Sequence, residues 1–261
     1  MTPPLYLVDE LPTGERIELT GAEGRHAATV RRTRVGEHLL VGDGQGRLAA
    51  GEVVETGRDV LVLRVIERCR VPVPSPRVTL AQALVKGDRG ELAVELATEA
   101  GVDAVLPWRA ARCVARWDAG PRGAKALDRW RSAVLAAAKQ SRRAWLPDVA
   151  EPLDTASLAR RCADADVALV LHESADTPMA ELAGALSAAA EVLLVVGPEG
   201  GLTDDELKLL SAEGAFTVRL GPTVLRASSA AAVALGALGA LTGRWSTREK
   251  ALRYPDFTPR G

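Results

Sequence analysis

The sequence predicts an α/β protein in two parts, a small β-domain followed by a larger domain of alternating strands and helices. Three observations carry that expectation. Residues 1 to about 70 read as short apolar runs separated by turn signals; "VPVPSP" at 71–76 interrupts the chain; beyond it, apolar runs of strand length alternate with helix-length segments bearing their own start and stop signals. At 261 residues, 47% apolar and 26% charged, the chain is globular in composition and long enough to bury a real core.

In the first part, "LYLV", "HLLVGDGQGRLAAGEVVE" with its Asp43-Gly44 turn, and "DVLVLRVIERC" read as strands. The three prolines of "VPVPSP" fit neither a central strand nor a helix, so they mark the boundary between a β-domain at 1–72 and a domain at 73–246, with a tail at 247–261. Next comes the strand "RVTLAQALV". A helix follows that Asp88 and Glu91 open as a capping box and Gly101 closes. "VDAVLP" reads as a strand, "AKALDRWRSAVLAAAKQS" as a long helix, "DVALVLH" as a buried strand, "PMAELAGALSAAAE" as a helix and "EVLLVVG" as a strand. Thr203 and Glu206 cap another helix, "FTVRLG" is a strand, and "SSAAAVALGALGALTG" is the final helix. This alternation predicts a parallel sheet covered on both faces.

The net charge of −1 conceals an uneven distribution. Pro107 to Pro147 holds ten Lys/Arg against two Asp, and Arg25, Arg31, Arg32 and Arg34 cluster without an acid, whereas Asp148 to Glu191 holds nine acids against two arginines. Two basic patches on an otherwise acidic chain suit a polyanionic partner. Cys69, Cys113 and Cys162 lack C-x-x-C pairing and read as reduced thiols; His26, His38 and His172 show no ligand spacing, so no metal site is expected. The N-terminus carries no secretory pattern and Ala230–Leu241 is too short to span a bilayer, so the expectation is a cytoplasmic protein without a membrane segment.

"VVGPEGGLTDDEL" (195–207) places a glycine turn between a buried strand and an acidic helix start, where open α/β sheets gather ligands. It matches neither a Walker nor a dinucleotide loop, and Glu199, Asp204, Asp205 and Glu206 oppose a phosphate. Taken alone, it reads equally well as a tight structural turn. "LGPTVLRASSAA" (220–231) repeats strand, Gly-Pro turn and helix start, and two such turns at strand ends point to one shared pocket for a cationic or neutral ligand.

These two stretches, with "KGDRGELAVELATEAGV" (86–102), "HAATVRRTRVGE" (26–37) and "AAAKQSRR" (136–143), resemble in order and spacing the bacterial 16S ribosomal RNA (uracil-N3) methyltransferases of the SPOUT superfamily. The resemblance runs from near residue 1 to about 243. It implies a PUA-like β-barrel followed by a SPOUT domain whose C-terminal part forms a deep trefoil knot, which sequence pattern alone does not suggest. It implies S-adenosylmethionine as cofactor, held by Leu171, His172, Glu173, Val196, Gly197, Pro198, Glu199, Gly200, Gly201, Leu220, Gly221, Pro222, Val224, Leu225 and Arg226. A sulfonium cofactor without phosphate explains the absence of a loop lysine. The implied partners are 16S rRNA, within an assembled small ribosomal subunit, and a second copy of the chain in a homodimer, for which the small-residue final helix Ala230–Leu241 provides close contact.

Methylation at uracil N3 requires loss of the N3 proton and in-line attack on an activated methyl. Arg226 is the first candidate to stabilise uracilate charge, its alternative being a salt bridge across the loop; Glu199 is the second candidate, as orienting group or proton acceptor. Arg25, His26, Arg31, Arg32, Arg34, Arg112, Arg142 and Arg143 are the RNA-binding candidates, joined by Arg109 and Arg116 on the second surface; a solvated basic face is the other reading of each patch. His172 reads as pocket-lining, and the five tryptophans as packing. The sequence departs from the family pattern at Ala111, Lys139 and Ser228, where Glu is usual, and at Thr223, where Arg is usual. Two rivals stand: a non-catalytic RNA-binding protein, and a related enzyme acting on another RNA.

Overall fold

The structure, a computed structural model, describes residues 3–117 and 120–245; the tail expected at 247–261 lies outside the described residues. The chain divides into two compact units. Among the described residues, the first runs to Val73 and takes in Lys139–Leu146, and the second comprises Pro74–Ala138 and the chain from Pro147 onward. The division falls within "VPVPSP". Nothing in the sequence signals the return of Lys139–Leu146 to the first unit.

In the first unit, β1 (Leu5–Leu7), β2 (Arg16–Leu19), β3 (His38–Gly42), β4 (Arg47–Gly57) and β5 (Val60–Arg70) form a sheet ordered β1-β3-β4-β5-β2. All its pairings are antiparallel except β1 with β3. Alternation along β3 sends Leu39 and Val41 into a core with Tyr6, Ile17 and Leu63, and Leu40 into a second cluster with Leu5, Leu48 and Ala144. The Asp43 turn forms as expected: its carboxylate accepts from the Gln45 and Arg47 amides at 2.8 and 3.1 Å and from Arg47 Nε at 2.5 Å.

The basic stretch after β2, expected as strand or turn, is instead helical: α1 (Gly21–Arg25) runs into a π-helical turn at His26–Val30. Small residues at helical spacing explain the difference. A Cβ on Gly24 would lie 2.4 Å from the Leu19 carbonyl oxygen and 2.5 Å from that of Asp59, and Ala27 is fully buried, so this face docks directly on the backbone of its neighbours.

The second unit runs β6 (Arg77–Ala83), α2 (Arg89–Glu99), β7 (Ala104–Arg109), α3 (Pro121–Gln140, its last two residues grouped with the first unit), β8 (Asp148–Val149), β9 (Leu153–Asp154), α4 (Thr155–Asp164), β10 (Val167–Leu171), α5 (Ala183–Ala188), β11 (Glu191–Val196), α6 (Asp204–Ala212), β12 (Phe216–Val218) and α7 (Ala227–Leu241). Its sheet is ordered β12-β10-β11-β6-β7-β8, with β9 also on β7, and every pairing is parallel. Helices cover both faces, as the strand–helix alternation predicts. Leu80, Val105, Trp130, Leu194 and Leu235 fill one side, and Ala81, Trp108, Leu158, Val195 and Leu210 the other.

Three local expectations change. Asp88 makes no side-chain cap: its own backbone is already helical (φ −68°, ψ −7°), and Glu91 accepts from Arg129 Nε at 2.7 Å instead of closing a capping box. The helix expected over 178–191 splits into a 3-10 turn, Met179–Leu182, and the short α5, because Pro178 and Met179 are tied to Arg219 beside β12. Helix α4, opened by Asp154 accepting from the Ser157 amide at 2.8 Å, was not anticipated. The Thr203–Glu206 capping box, by contrast, is present. Among the described residues no helix is long and apolar enough to cross a membrane.

Candidate active site

Parallel strands expose their C-terminal ends together, and here β10, β11 and β12 deliver three loops to one side of the second unit. Between them lies a cavity of about 470 Å³, a size suited to a small organic ligand. Leu171, His172 and Glu173 line it from the end of β10; Val196, Gly197, Pro198, Glu199, Gly201 and Leu202 from the end of β11; Arg219, Leu220, Gly221, Thr223, Val224, Leu225 and Arg226 from beyond β12. Ala227, Ser228 and Ala230 of α7 and Arg89 of α2 complete the wall. The two Gly-Pro turns thus share one pocket.

Of the residues expected there, Gly200 and Pro222 do not line the cavity. Gly200 faces the other way: a Cβ on it would lie 3.1 Å from Arg112 Cβ and 3.3 Å from the Arg112 carbonyl oxygen. Gly201 does line it, with φ +71°, a conformation that a β-branched residue adopts only under strain. Arg89, Leu202, Arg219, Thr223, Ala227, Ser228 and Ala230 were not assigned to the pocket from sequence. Arg89 sits within "KGDRGEL", far from either loop along the chain, and only the sheet order brings it in.

Acids and guanidiniums divide the cavity wall. Arg89 Nη1 stands 3.8 Å from Glu199 Oε1, a loose ion pair between solvent-accessible groups. His172 Nδ1 accepts from the Ser174 amide at 3.2 Å, which leaves Nε2 as the protonated nitrogen of the neutral ring. Arg226 is the extended N-cap residue of α7, and its carbonyl accepts from the Ser229 and Ala230 amides. Its exposed guanidinium makes no ion pair among the described residues.

Arg112, expected on an RNA surface, donates Nη1 to the carbonyls of Gly200 (3.2 Å) and Leu202 (3.1 Å). Glu206 is 5% exposed. One of its oxygens accepts from the Ala111 amide (2.8 Å) and the Thr155 hydroxyl (3.2 Å), the other from the Thr203 amide and hydroxyl (both 3.0 Å). Burial alone would raise this carboxyl's pKa, but these bonds hold it below its ordinary value.

In the first unit, Arg25, His26, Arg31, Arg32 and Arg34 are all exposed on and after the helical turn, and none of the four guanidiniums meets an acid among the described residues. Arg32 has φ +56° and Arg142 φ +57°, left-handed conformations that cost a non-glycine residue about 1 kcal/mol or more. Arg142, half-buried, donates Nε to the Pro3 carbonyl at 2.8 Å, and Arg143 is likewise half-buried. The Lys139 ammonium meets Glu23 at 2.6 and 2.8 Å and lies 5.6 Å from the Tyr6 ring centroid. This charge therefore has its own counterion.

A parallel sheet with a pocket at its C-terminal edge, accompanied by a β-rich unit, defines a class that comparison with known proteins makes specific. An RNA methyltransferase domain model matches residues 49–239, and an RNA methyltransferase PUA domain model matches residues 19–66. The chain belongs to the RNA methyltransferase family. It is 53% identical over 261 residues to ribosomal RNA small subunit methyltransferase E of Mycobacterium bovis, covering 98% of each chain, and 31% identical over 237 residues to that of Bacillus subtilis, covering 88% and 91%. Among solved structures, a Legionella pneumophila methyltransferase in complex with its cofactor S-adenosylmethionine has a TM-score of 0.82 at 28% identity, covering 93% of this chain and 99% of that one. The methyltransferase E of Neisseria gonorrhoeae, at 24% identity, shares the fold with the same TM-score, covering 92% and 98%.

Proposed function

We propose that this protein methylates N3 of a uridine in 16S rRNA, with S-adenosylmethionine bound in the cavity at the ends of β10, β11 and β12. The observation that carries the reading is the convergence of the two Gly-Pro loops on that one cavity, in a chain whose relatives are named small-subunit rRNA methyltransferases. The residues fit the cofactor. Apolar side chains such as Leu171, Val196, Leu220 and Leu225 suit an adenine ring, Glu173 and Glu199 suit cationic groups, and among the described residues no lysine lines the cavity. When bound, the cofactor supplies a methyl group already activated by its sulfonium.

The chain's own residues then have two tasks. The loops exclude water and fix the angle of approach, and a guanidinium offsets the charge that grows on the uracil oxygens as N3 loses its proton. Arg226 suits the second task because it is exposed at the cavity and unengaged by any acid of the described chain. Glu199, on the opposite loop, suits orientation of the cofactor. The exposed arginines at 25–34 suit rRNA phosphates.

The finer architecture belongs to the same reading: a barrel in the first unit, a SPOUT domain with a deep trefoil knot in the second, cytoplasmic residence, an assembled small subunit as substrate and a homodimer. Exposed Val224 and Val233, beside the small-residue surface of α7, support self-association. Mapping of modified rRNA nucleosides by mass spectrometry, in cells with and without the protein, tests the function; a complete 3-methyluridine complement in its absence would refute it. Sedimentation at micromolar concentration tests the dimer, for which a monomer is the refuting result.

A further inference from the structure

Glu206 has a second set of contacts that a capping box does not need. The box requires one carboxylate oxygen, which Thr203 occupies through its amide and hydroxyl. The other oxygen binds the Ala111 amide and the Thr155 hydroxyl, 95 and 51 residues away in sequence. From the side of the turn after β7, Arg112 spans the Gly200 and Leu202 carbonyls. The C-terminal half of the loop that forms one cavity wall is thus fastened at two points to the Ala111–Arg112 turn, at Thr203 through a buried carboxylate and at Gly200 and Leu202 through a guanidinium.

We propose that Glu206 and Arg112 are positioning residues that hold the glycine loop in its cofactor-accepting shape, and that Arg112 serves the loop rather than an RNA phosphate. This rests on the reading of the cavity as the S-adenosylmethionine site. Glutamine cannot replace Glu206 without loss. Each carboxylate oxygen faces a backbone N–H, that of Ala111 or that of Thr203, so an amide in either orientation sets its NH2 against a donor. A buried N–H is then left without an acceptor, which weakens the loop by more than one ordinary hydrogen bond.

The test compares wild type with Glu206→Gln and Arg112→Ala, in the full chain, by calorimetry with S-adenosylmethionine, by steady-state kinetics on rRNA and by hydrogen exchange of the amides at 199–203. Glu206→Gln should raise the cofactor Kd and KM about tenfold, with kcat at saturating cofactor nearly retained, and should speed exchange across the loop. Arg112→Ala should raise cofactor Kd about threefold to tenfold and leave the rRNA KM and its salt dependence unchanged. Wild-type Kd and exchange in folded Glu206→Gln overturn the proposal, as does an Arg112→Ala protein whose rRNA KM rises while loop exchange stays the same. Should Glu206→Gln not fold, Thr155→Val removes one donor to the same carboxylate, and unaltered loop exchange in it is the overturning result. A wild-type protein that binds no cofactor refutes the assigned function instead, while the exchange comparison still decides the positioning role.

Discussion

The two loops that share the cavity are built in opposite ways. The loop at 197–203 is held by side chains from three separate segments, through Glu206, Arg112 and Thr155, and it leads into a helix with a complete capping box. The loop at 220–226 has no comparable bracing: Pro222, Thr223, Val224 and Arg226 are exposed, Val224 at 76%, and neither Thr223 nor Arg226 makes a side-chain hydrogen bond among the described residues. Its hydrogen bonds run through its own backbone, at Arg219 on one side and at the α7 N-terminus on the other, where the Ser229 hydroxyl also donates to the Arg226 carbonyl, while Leu220 and Leu225 pack against the core. A rigid wall facing an unbraced one suits a site in which one loop recognises the cofactor and the other is completed by what arrives later, RNA or a second copy of the chain.

The strongest way to break that contrast is at Gly201. Valine there strains a φ of +71° in a loop that lines the cavity, so cofactor binding should fall by more than about a hundredfold by calorimetry. Unchanged affinity in a folded Gly201→Val protein removes this loop from the site. At the unbraced loop the loss should appear in turnover rather than in binding: Arg226→Ala should lower kcat roughly a hundredfold with cofactor Kd and rRNA affinity nearly intact. Normal turnover would make Arg226 structural and erase the division of labour.

Arg32 extends the contrast to the first unit, where a charged residue occupies a conformation that glycine would hold more easily. Arg32→Ala should weaken rRNA binding severalfold and reduce the slope of log affinity against log salt by about one. Arg32→Gly should give the same binding defect while raising stability by up to about 1 kcal/mol in denaturant titration. A glycine variant that binds rRNA like wild type would show that Arg32 touches no phosphate. The smallest effect concerns pH. Because the folded-state pKa of Glu206 lies below its ordinary 4.5, its contribution is fully present above that value and is lost only as pH falls through the depressed one. Cofactor affinity should therefore stay flat from neutrality down to about pH 5, and a midpoint inside that window would identify another titrating group at the site.

What the sequence disclosed and what it withheld follow from range along the chain. The glycine turns, the buried strands before them and the Thr203–Glu206 cap are local patterns, and the pocket they line was legible before any fold was known. Arg89 was not, since it reaches the cavity only through the β11-β6 adjacency. Nor was the second half of Glu206's binding, which depends on an amide 95 residues upstream. Arg112 shows the same limit: it stands in a basic stretch of sequence, and only the fold sets its guanidinium against the carbonyls of Gly200 and Leu202. The helical turn at 21–30 was hidden because Gly24 and Ala27 owe their fit to a neighbouring backbone rather than to apolar periodicity.

The return of Lys139–Leu146 to the first unit bears on how that unit comes into being. Ala144 packs with Leu5, Leu40 and Leu48, and the Trp145 indole donates to the carbonyls of Val71 and Pro72 at 3.1 and 3.0 Å. On a ribosome, these partners wait until about two fifths of the second unit has been synthesised before their core can close. A fragment cut at Val73 would keep every strand of the first sheet yet lack the indole and the alanine that seal it, so the unit that comes first in the chain cannot finish folding until part of the second has followed it.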